Sequence, residues 1–292
     1  MKILVTGGSG FIGSHISDAF SEAKHSVSIL DIKKSKWINT KQKMIVGDIN
    51  NTKILDSATK NMDAVIHCAG LADLNISFSK PQDSVQNNIL ASVKLIDSCI
   101  KNKVKKIIYA STVYVFSKEG SFYRCSKRAV EDYLEEYASQ KKIKYTILRF
   151  GSIYGPRSDN TNGLYNLIFN LIKHKKIILD KNQNTIREYI HVHDVARACL
   201  EILNNKYNNK CITLTGSEKV RFKELIDMVS EISSIKKIKK INKRNIGHYD
   251  STPYSYLPKI GLKYNLKENY DIGMGLLELI DVVQREINDK KK

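Results

Sequence analysis

The sequence predicts an α/β fold, a doubly wound parallel sheet with a smaller C-terminal lobe. Three observations carry this. Apolar strand-like runs recur at residues 2–6, 27–31, 43–46, 63–67, 106–110 and 145–149. Helix-like stretches fill most of the gaps, at about 11–23, 52–60, 84–102 and 123–140. Strands alternating with helices need crossovers, and hence parallel pairing. A glycine-rich turn also sits at the first strand-to-helix junction, where such sheets bind ligands.

The first strand, Ile3-Leu4-Val5, stops at Thr6 and is followed by Gly7, Gly8, Gly10 and Gly13. Gly8-Ser9-Gly10-Phe11-Ile12-Gly13 fits G-x-G-x-x-G, the dinucleotide fingerprint. Glycines permit a tight turn and let backbone N–H groups approach a pyrophosphate, and the next helix points its positive N-terminus at the same phosphates. The second strand ends at Asp31, about 20 residues on, where a carboxylate is wanted for the adenosine ribose. Such a carboxylate repels a 2′-phosphate and so predicts NAD over NADP; Lys33 and Lys34 nearby work against that preference. Past residue 155 the pattern turns irregular, with helices expected near 161–174, 192–204, 222–232 and 271–288.

Bulk composition narrows the classes. The chain has 292 residues with 42% hydrophobic and 27% charged, ordinary for a globular protein. No apolar run approaches the ~20 residues of a membrane span. Met1 leads almost directly into the first strand, so no signal peptide is expected. The five cysteines are widely spaced without C-x-x-C, which suits reduced thiols in a cytoplasm. The net charge of +18 raises nucleic-acid binding. Apart from Lys236 to Arg244 and the tail Lys290–Lys292, however, the basic residues are diffuse and are not interleaved with aromatics, so a solvated Lys-rich surface is the expectation. His191 and His193 alternate on a strand-like segment with no third ligand in view, so no metal is expected. His15 reads as a packed or capping side chain.

The chemistry is expected at the fifth strand. It leads into Ser111-Thr112, and eleven residues beyond Thr112 comes Tyr123-Arg124-Cys125-Ser126-Lys127 at a helix start. Tyr123 and Lys127 share one helix face. A phenol with a reference pKa of about 10 is a poor base at neutral pH, and a nearby ammonium favours the phenolate. With Thr112 hydrogen-bonding the same substrate oxygen, the three form a base, its tuner and an orienting donor for taking a proton from an alcohol.

These residues resemble the extended short-chain dehydrogenases/reductases. Within them the chain is similar to the NAD-dependent nucleotide-sugar epimerase/dehydratase family, nearest to the UDP-galactose (UDP-glucose) 4-epimerases. The resemblance runs through Thr6–Gly13, Asp31, Gly47-Asp48-Ile49, His67–Leu71, Lys80-Pro81 to Asn87-Asn88, Ser111–Ser117, Leu148–Phe150, Ile153–Arg157 and Arg187–Ala196. It implies a Rossmann-type sheet domain at 1–155 plus about 188–215, with 156–187 and 216–292 forming a substrate-binding lobe. NAD would be held by Gly7, Gly10, Phe11, Ile12, Gly13, Asp31, Asp48, Ile49, Cys68, Ala69, Gly70, Ser111, Tyr123 and Lys127. Thr112, Tyr123 and Lys127 would be catalytic. Asn88, Ser152 and Arg187 would meet a nucleotide-sugar substrate, Arg187 gripping its diphosphate. Asn88 reads equally as a buried strut holding a neighbouring loop. The resemblance also implies a homodimer built on helices 84–102 and 123–140.

Four departures stand out. Ser152 replaces the usual Asn, Ala72 replaces a cofactor-contacting Lys, and Phe116-Ser117 replace Tyr-Gly. The loop from Val113 to Phe122 is shorter than in the family, which predicts a more open sugar end unless Phe116, Phe122 or the C-terminal lobe refills it. Dehydratases need acidic residues after the triad hydroxyl; here they are Val113 and Tyr114. That leaves an NAD-dependent epimerase that oxidises and re-reduces its sugar, a net nucleotide-sugar reductase or dehydrogenase, or a cofactor-binding regulator, which the intact triad disfavours.

Overall fold

The computed structural model describes residues 1–179, 185–233, 239–242 and 251–253. The chain divides into two compact units, Met1–Tyr256 and Leu257–Lys292, and every described residue lies in the first. The helix expected near 271–288 falls outside the described residues.

In chain order the elements are β1 (Lys2–Thr6), α1 (Phe11–Glu22), β2 (Ser26–Asp31), β3 (Gln42–Val46), α2 (Thr52–Thr59), β4 (Ala64–His67), α3 (Leu74–Ser79) and α4 (Pro81–Ser84). A π-helical turn, Val85–Leu90, leads into α5 (Ala91–Lys101). Then follow β5 (Lys106–Thr112), a 3₁₀ turn (Val113–Phe116), α6 (Ser121–Ser139), β6 (Lys144–Phe150), β7 (Ser152–Tyr154), α7 (Gly163–His174) and β8 (Lys176–Leu179). The last are β9 (Ile186–His191), α8 (Val192–Ile202), β10 (Lys210–Leu214), β11 (Lys219–Arg221), α9 (Phe222–Ile232) and β12 (Lys239–Asn242).

Among the described residues, seven parallel strands form the main sheet in the order β3-β2-β1-β4-β5-β6-β10. Its inner strands are apolar on both faces because both faces are covered, while the edge strands β3 and β10 are only partly buried. Leu4, Leu30, Val65 and Ile147 pack with Leu55, Leu95, Ile96, Val130 and Leu134 from α2, α5 and α6. The alternate residues Ile3, Val5, Ile66 and Leu148 pack on the opposite side with Ile16, Phe20, Val195 and Cys199 from α1 and α8. Strand order reverses between β1 and β4, the switch point where such sheets open a ligand crevice. A second, three-stranded sheet has the order β11-β9-β7, and β12 pairs with β8. No helix among the described residues is long and apolar enough to cross a membrane.

Candidate active site

The glycine turn lies at the switch point. Gly7 takes φ 70°, and its N–H donates to the Leu30 carbonyl at 2.8 Å. A Cβ on Gly7 would stand 2.6 Å from the Ala69 nitrogen, and one on Gly13 2.3 Å from the Gly7 carbonyl oxygen. Only glycine fits either contact. α1 starts at Gly10 without a side-chain cap, so the amides of Phe11, Ile12 and Gly13 in its first turn have no capping side chain as acceptor. Asp31 closes β2, where its oxygens accept the Ser9 N–H at 3.0 Å and the Lys33 N–H at 3.1 Å. A carboxylate has about four acceptor sites, so capacity remains for ribose hydroxyls. This cradle fits the expected dinucleotide.

The rest of the expected cofactor wall gathers around it. Asp48 is exposed and accepts the Asn50 N–H at 2.8 Å, while Ile49 beside it is buried. Cys68 follows β4, and its N–H donates to the Thr6 carbonyl at 3.0 Å. Burial pushes the Cys68 thiol up to about 12, so it lines the cradle as a neutral group.

A buried polar chain ties this cradle to α6. The Ser92 hydroxyl donates to the Asn88 carbonyl, so it accepts from His67 Nε2 at 2.8 Å. His67 Nδ1 then accepts the Thr6 hydroxyl at 2.7 Å, and Thr6 Oγ1 takes the Ala69 N–H at 3.4 Å. The Asn88 amide is spent on protein: Oδ1 accepts the Leu71 N–H at 2.6 Å, and Nδ2 donates to the Leu71 carbonyl at 3.0 Å and to Ser126 Oγ at 2.9 Å. Asn88 thus stands as a strut between the loop after Gly70 and α6. The π turn, a feature frequent at functional sites, carries it there.

The structure brings Thr112, Tyr123 and Lys127 together. Thr112 ends β5, caps the 3₁₀ turn through the Tyr114 N–H at 3.3 Å, and hydrogen-bonds the Tyr123 phenol. Burial pushes Tyr123 up to about 12, and the Thr112 bond pulls the other way. The Lys127 ammonium donates to the Ala110 carbonyl at 2.8 Å and lies 5.8 Å from the centre of the Tyr123 ring. Burial brings Lys127 down to about 8, with Cys68 and Glu131 opposing. Ser111, beside Thr112, donates to Glu131, which also accepts the Arg149 guanidinium. The Leu148–Phe150 resemblance covers Arg149, yet sequence reasoning gave no role to this pair or to His67. The one available signal was the spacing of Tyr123, Lys127 and Glu131 at successive fours.

The short loop is filled from within. The Tyr114 ring lies edge-on to Tyr123 at 6.4 Å, and a Cβ on Gly120 would meet it at 2.7 Å. Phe116 turns under Arg149 with 4.6 Å between guanidinium and ring centre, and Phe122 remains exposed. Tyr114, rather than either phenylalanine, borders the phenol.

Ser152 and Arg187 lie in the small sheet, on neighbouring strands: Ser152 faces Tyr189 across β7–β9, and Arg187 faces Val220 across β9–β11. His15 is buried and donates from Nε2 to the Pro156 carbonyl at 3.0 Å, with its ring edge-on to His193 at 5.0 Å. His191 caps α8 by accepting the His193 N–H at 3.3 Å. An apolar groove of about 420 Å³ runs from Tyr154 along α7, past Leu164, Tyr165, Ile168 and Phe169.

A family model described as the NAD dependent epimerase/dehydratase family matches residues 3–213. UDP-glucose 4-epimerase of Yersinia enterocolitica is 30% identical over 70% of this chain and 74% of its own. The human dTDP-D-glucose 4,6-dehydratase is 26% identical over 79% of this chain and 74% of its own. The crystal structure of Thermotoga maritima UDP-glucose 4-epimerase with UDP-glucose superposes with a TM-score of 0.79, covering 88% of this chain and 90% of that one at 27% identity. The chain belongs to the NAD dependent epimerase/dehydratase family and is an NAD-dependent enzyme of the extended short-chain dehydrogenase/reductase type.

Proposed function

We propose that this enzyme interconverts the C4 epimers of a nucleotide-diphosphate hexose, with a UDP-hexose as substrate. The observation that carries this reading is a complete Thr112–Tyr123–Lys127 triad followed by Val113 and Tyr114. Elimination or decarboxylation needs an acid or base at a neighbouring sugar carbon, and these two side chains offer neither a carboxyl nor an imidazole. When bound, NAD supplies reversible oxidation of the carbinol carbon and a positive charge beside the phenol. Thr112 orients the sugar hydroxyl. Tyr123 takes its proton and gives it back to the opposite epimer once the keto sugar has turned over. Lys127 holds its ammonium over the phenol ring, where it favours the ionised form.

The diphosphate falls to Arg187, whose planar fork suits phosphate oxygens, and the nucleoside to the groove along α7. In the same reading, residues 1–155 and 188–215 hold NAD while 156–187 and 216–292 hold substrate. The enzyme works in the cytoplasm as a homodimer that pairs α5 and α6, whose surroundings leave Leu90 and Tyr133 exposed.

A panel of nucleotide sugars, with product read by NMR and NADH by absorbance, tests the reaction. Epimer formation without net NADH is expected; NADH formed or consumed in step with product would make the enzyme a reductase or dehydrogenase. Arg187→Ala should weaken nucleotide-sugar binding about 10- to 100-fold and spare NAD, the loss of one charge-assisted contact. Equal weakening of both ligands would move Arg187 out of the substrate site.

A further inference from the structure

The triad comes from the end of β5 and the start of α6, and one buried carboxylate binds these segments together. Glu131 lies one helical turn beyond Lys127 and two beyond Tyr123, on the same face of α6. It is 3% exposed. Its Oε1 accepts the hydroxyl of Ser111, the residue before Thr112. Both its oxygens accept from Arg149 Nε at 3.1 Å, and Oε2 accepts from Nη2 at 2.6 Å. Arg149 pairs with Ser111 across the β5–β6 ladder. The same guanidinium covers Phe116, the last residue of the turn that Thr112 caps. Glu131 therefore reaches the helix, the strand and the turn at once.

We propose that Glu131 is the positioning residue of this active site: its ion pair with Arg149 holds Thr112 against Tyr123. Its carboxylate also lies one turn beyond Lys127 on the same helix face, where it favours the ammonium. The catalytic consequence rests on the epimerase reading; the geometry does not. The groups facing Lys127 are His67 and Cys68 at the end of β4, Tyr109 of β5, and Tyr123 and Glu131 of its own helix. Burial disfavours the charged forms of His67, Cys68, Tyr109 and Tyr123; Glu131 differs from them in being ion-paired, to Arg149. Glu131 in turn faces Arg149, Ser111, Tyr109, Tyr145 and Cys211 of β10. A pair serving stability alone could be replaced by apolar residues at little cost. A pair that aligns and charges the triad could not.

The test uses the NAD-loaded enzyme and the variants Glu131→Gln and Glu131→Gln/Arg149→Met. Glu135→Gln, which removes an exposed carboxylate one turn further along, is the control. The double variant keeps the test open if Glu131→Gln, with Arg149 left unpaired, fails to fold. Expected are a kcat lower by about 10-fold or more, a nearly unchanged KM, and an alkaline limb of kcat displaced to lower pH by about one unit. The control should match the unmodified enzyme. Lysine ¹⁵N NMR should show the same downward shift in the Lys127 titration. A folded double variant with normal kcat and an unmoved limb overturns the proposal. So does a lower kcat with both limb and titration unmoved, since that is loss of packing alone. An unmodified enzyme that epimerises nothing in the panel removes the reaction assigned above, while the Lys127 titration still decides the role of Glu131.

Discussion

In the proposed reaction, Tyr123 takes and returns a proton through a phenol that burial has made less acidic than a free one. Tyr123→Phe keeps the ring and loses the proton relay. It should leave folding and NAD binding nearly intact while lowering kcat by ~10²–10⁴-fold, the usual worth of general acid–base catalysis; near-normal turnover would remove the phenol from the mechanism. His67 gives a second test. Burial holds it down at about 3 against an ordinary 6.5. The unfolded chain therefore binds the proton first, and His67's contribution, complete above pH 6.5, is lost as pH falls toward 3. Each pH unit in that window removes about 1.4 kcal/mol. His67→Gln can keep one acceptor and one donor without titrating, so its urea midpoint should fall less steeply in acid; parallel slopes would show that His67 does not set the acid limit. Tyr123 and Lys127 were legible from spacing because helix geometry alone puts i and i+4 together, and Thr112 from its place at the end of the fifth strand. His67 and Glu131 were not, because a histidine ending a strand and a glutamate on a helix read as core and solvent until their partners are placed. Those partners come from distant elements, at Thr6 and Ser92 for one and Arg149 for the other.

At the scale of the element, the connection from Val113 to Phe122 is the most sensitive piece. Gly120 adopts φ 88° directly before α6, with the Tyr114 ring against it. Gly120→Ala should cost about 1–3 kcal/mol in backbone strain and displace Tyr114 from the phenol. A lower melting temperature with a lower kcat is expected; a variant identical to its parent would mean that the turn absorbs a methyl group freely. The shortness of this loop could be read from the sequence. Its filling by Tyr114 could not, since three aromatic residues compete for the space and only packing selects among them. The helix expected at 84–102 shows the same limit. Helical structure begins earlier, with Asp73 capping α3 through the Asn75 and Ile76 N–H groups at 2.8 and 3.0 Å. The π turn at Val85–Leu90 has no periodic signature, because one widened turn is fixed by the contacts of Asn88 rather than by local propensity.

For the whole molecule, six strands and their order along the chain followed from their apolar runs, since all but the edge strand β3 are largely buried. The short strands of the small sheet were less visible, because three to six residues with mixed burial carry little pattern. The buried titratable groups add up to a pH profile. Lys106 and Lys127 are brought down to about 8, below their unfolded value, so they make stability rise with pH from about 8 upward. Burial pushes Cys68, Cys99, Cys199 and Cys211 above the thiol value of 9.0. The unfolded chain then loses those protons first, and stability falls above pH 9. Four thiols outweigh two lysines, and Tyr109 and Tyr123 act with the thiols from about pH 10. Urea midpoints measured under reducing conditions should therefore peak near pH 9; a maximum below pH 8 would contradict these assignments.

The outer edge of β6 is covered by β10, whose residues Lys210–Leu214 pair with Thr146–Phe150. During synthesis this edge exists before its cover does. Roughly sixty residues separate Phe150 from Lys210, so at ~5–20 residues per second the ribosome takes about 3–12 s to deliver the missing strand. Throughout that interval the nascent sheet shows a row of unpaired backbone groups able to recruit strands from neighbouring chains. Fragments ending between these strands should inherit the same open edge permanently and collect in inclusion bodies. Slower translation between Phe150 and Lys210 is therefore expected to lower the yield of folded protein, and equal yields at both paces would show that the open edge does no harm.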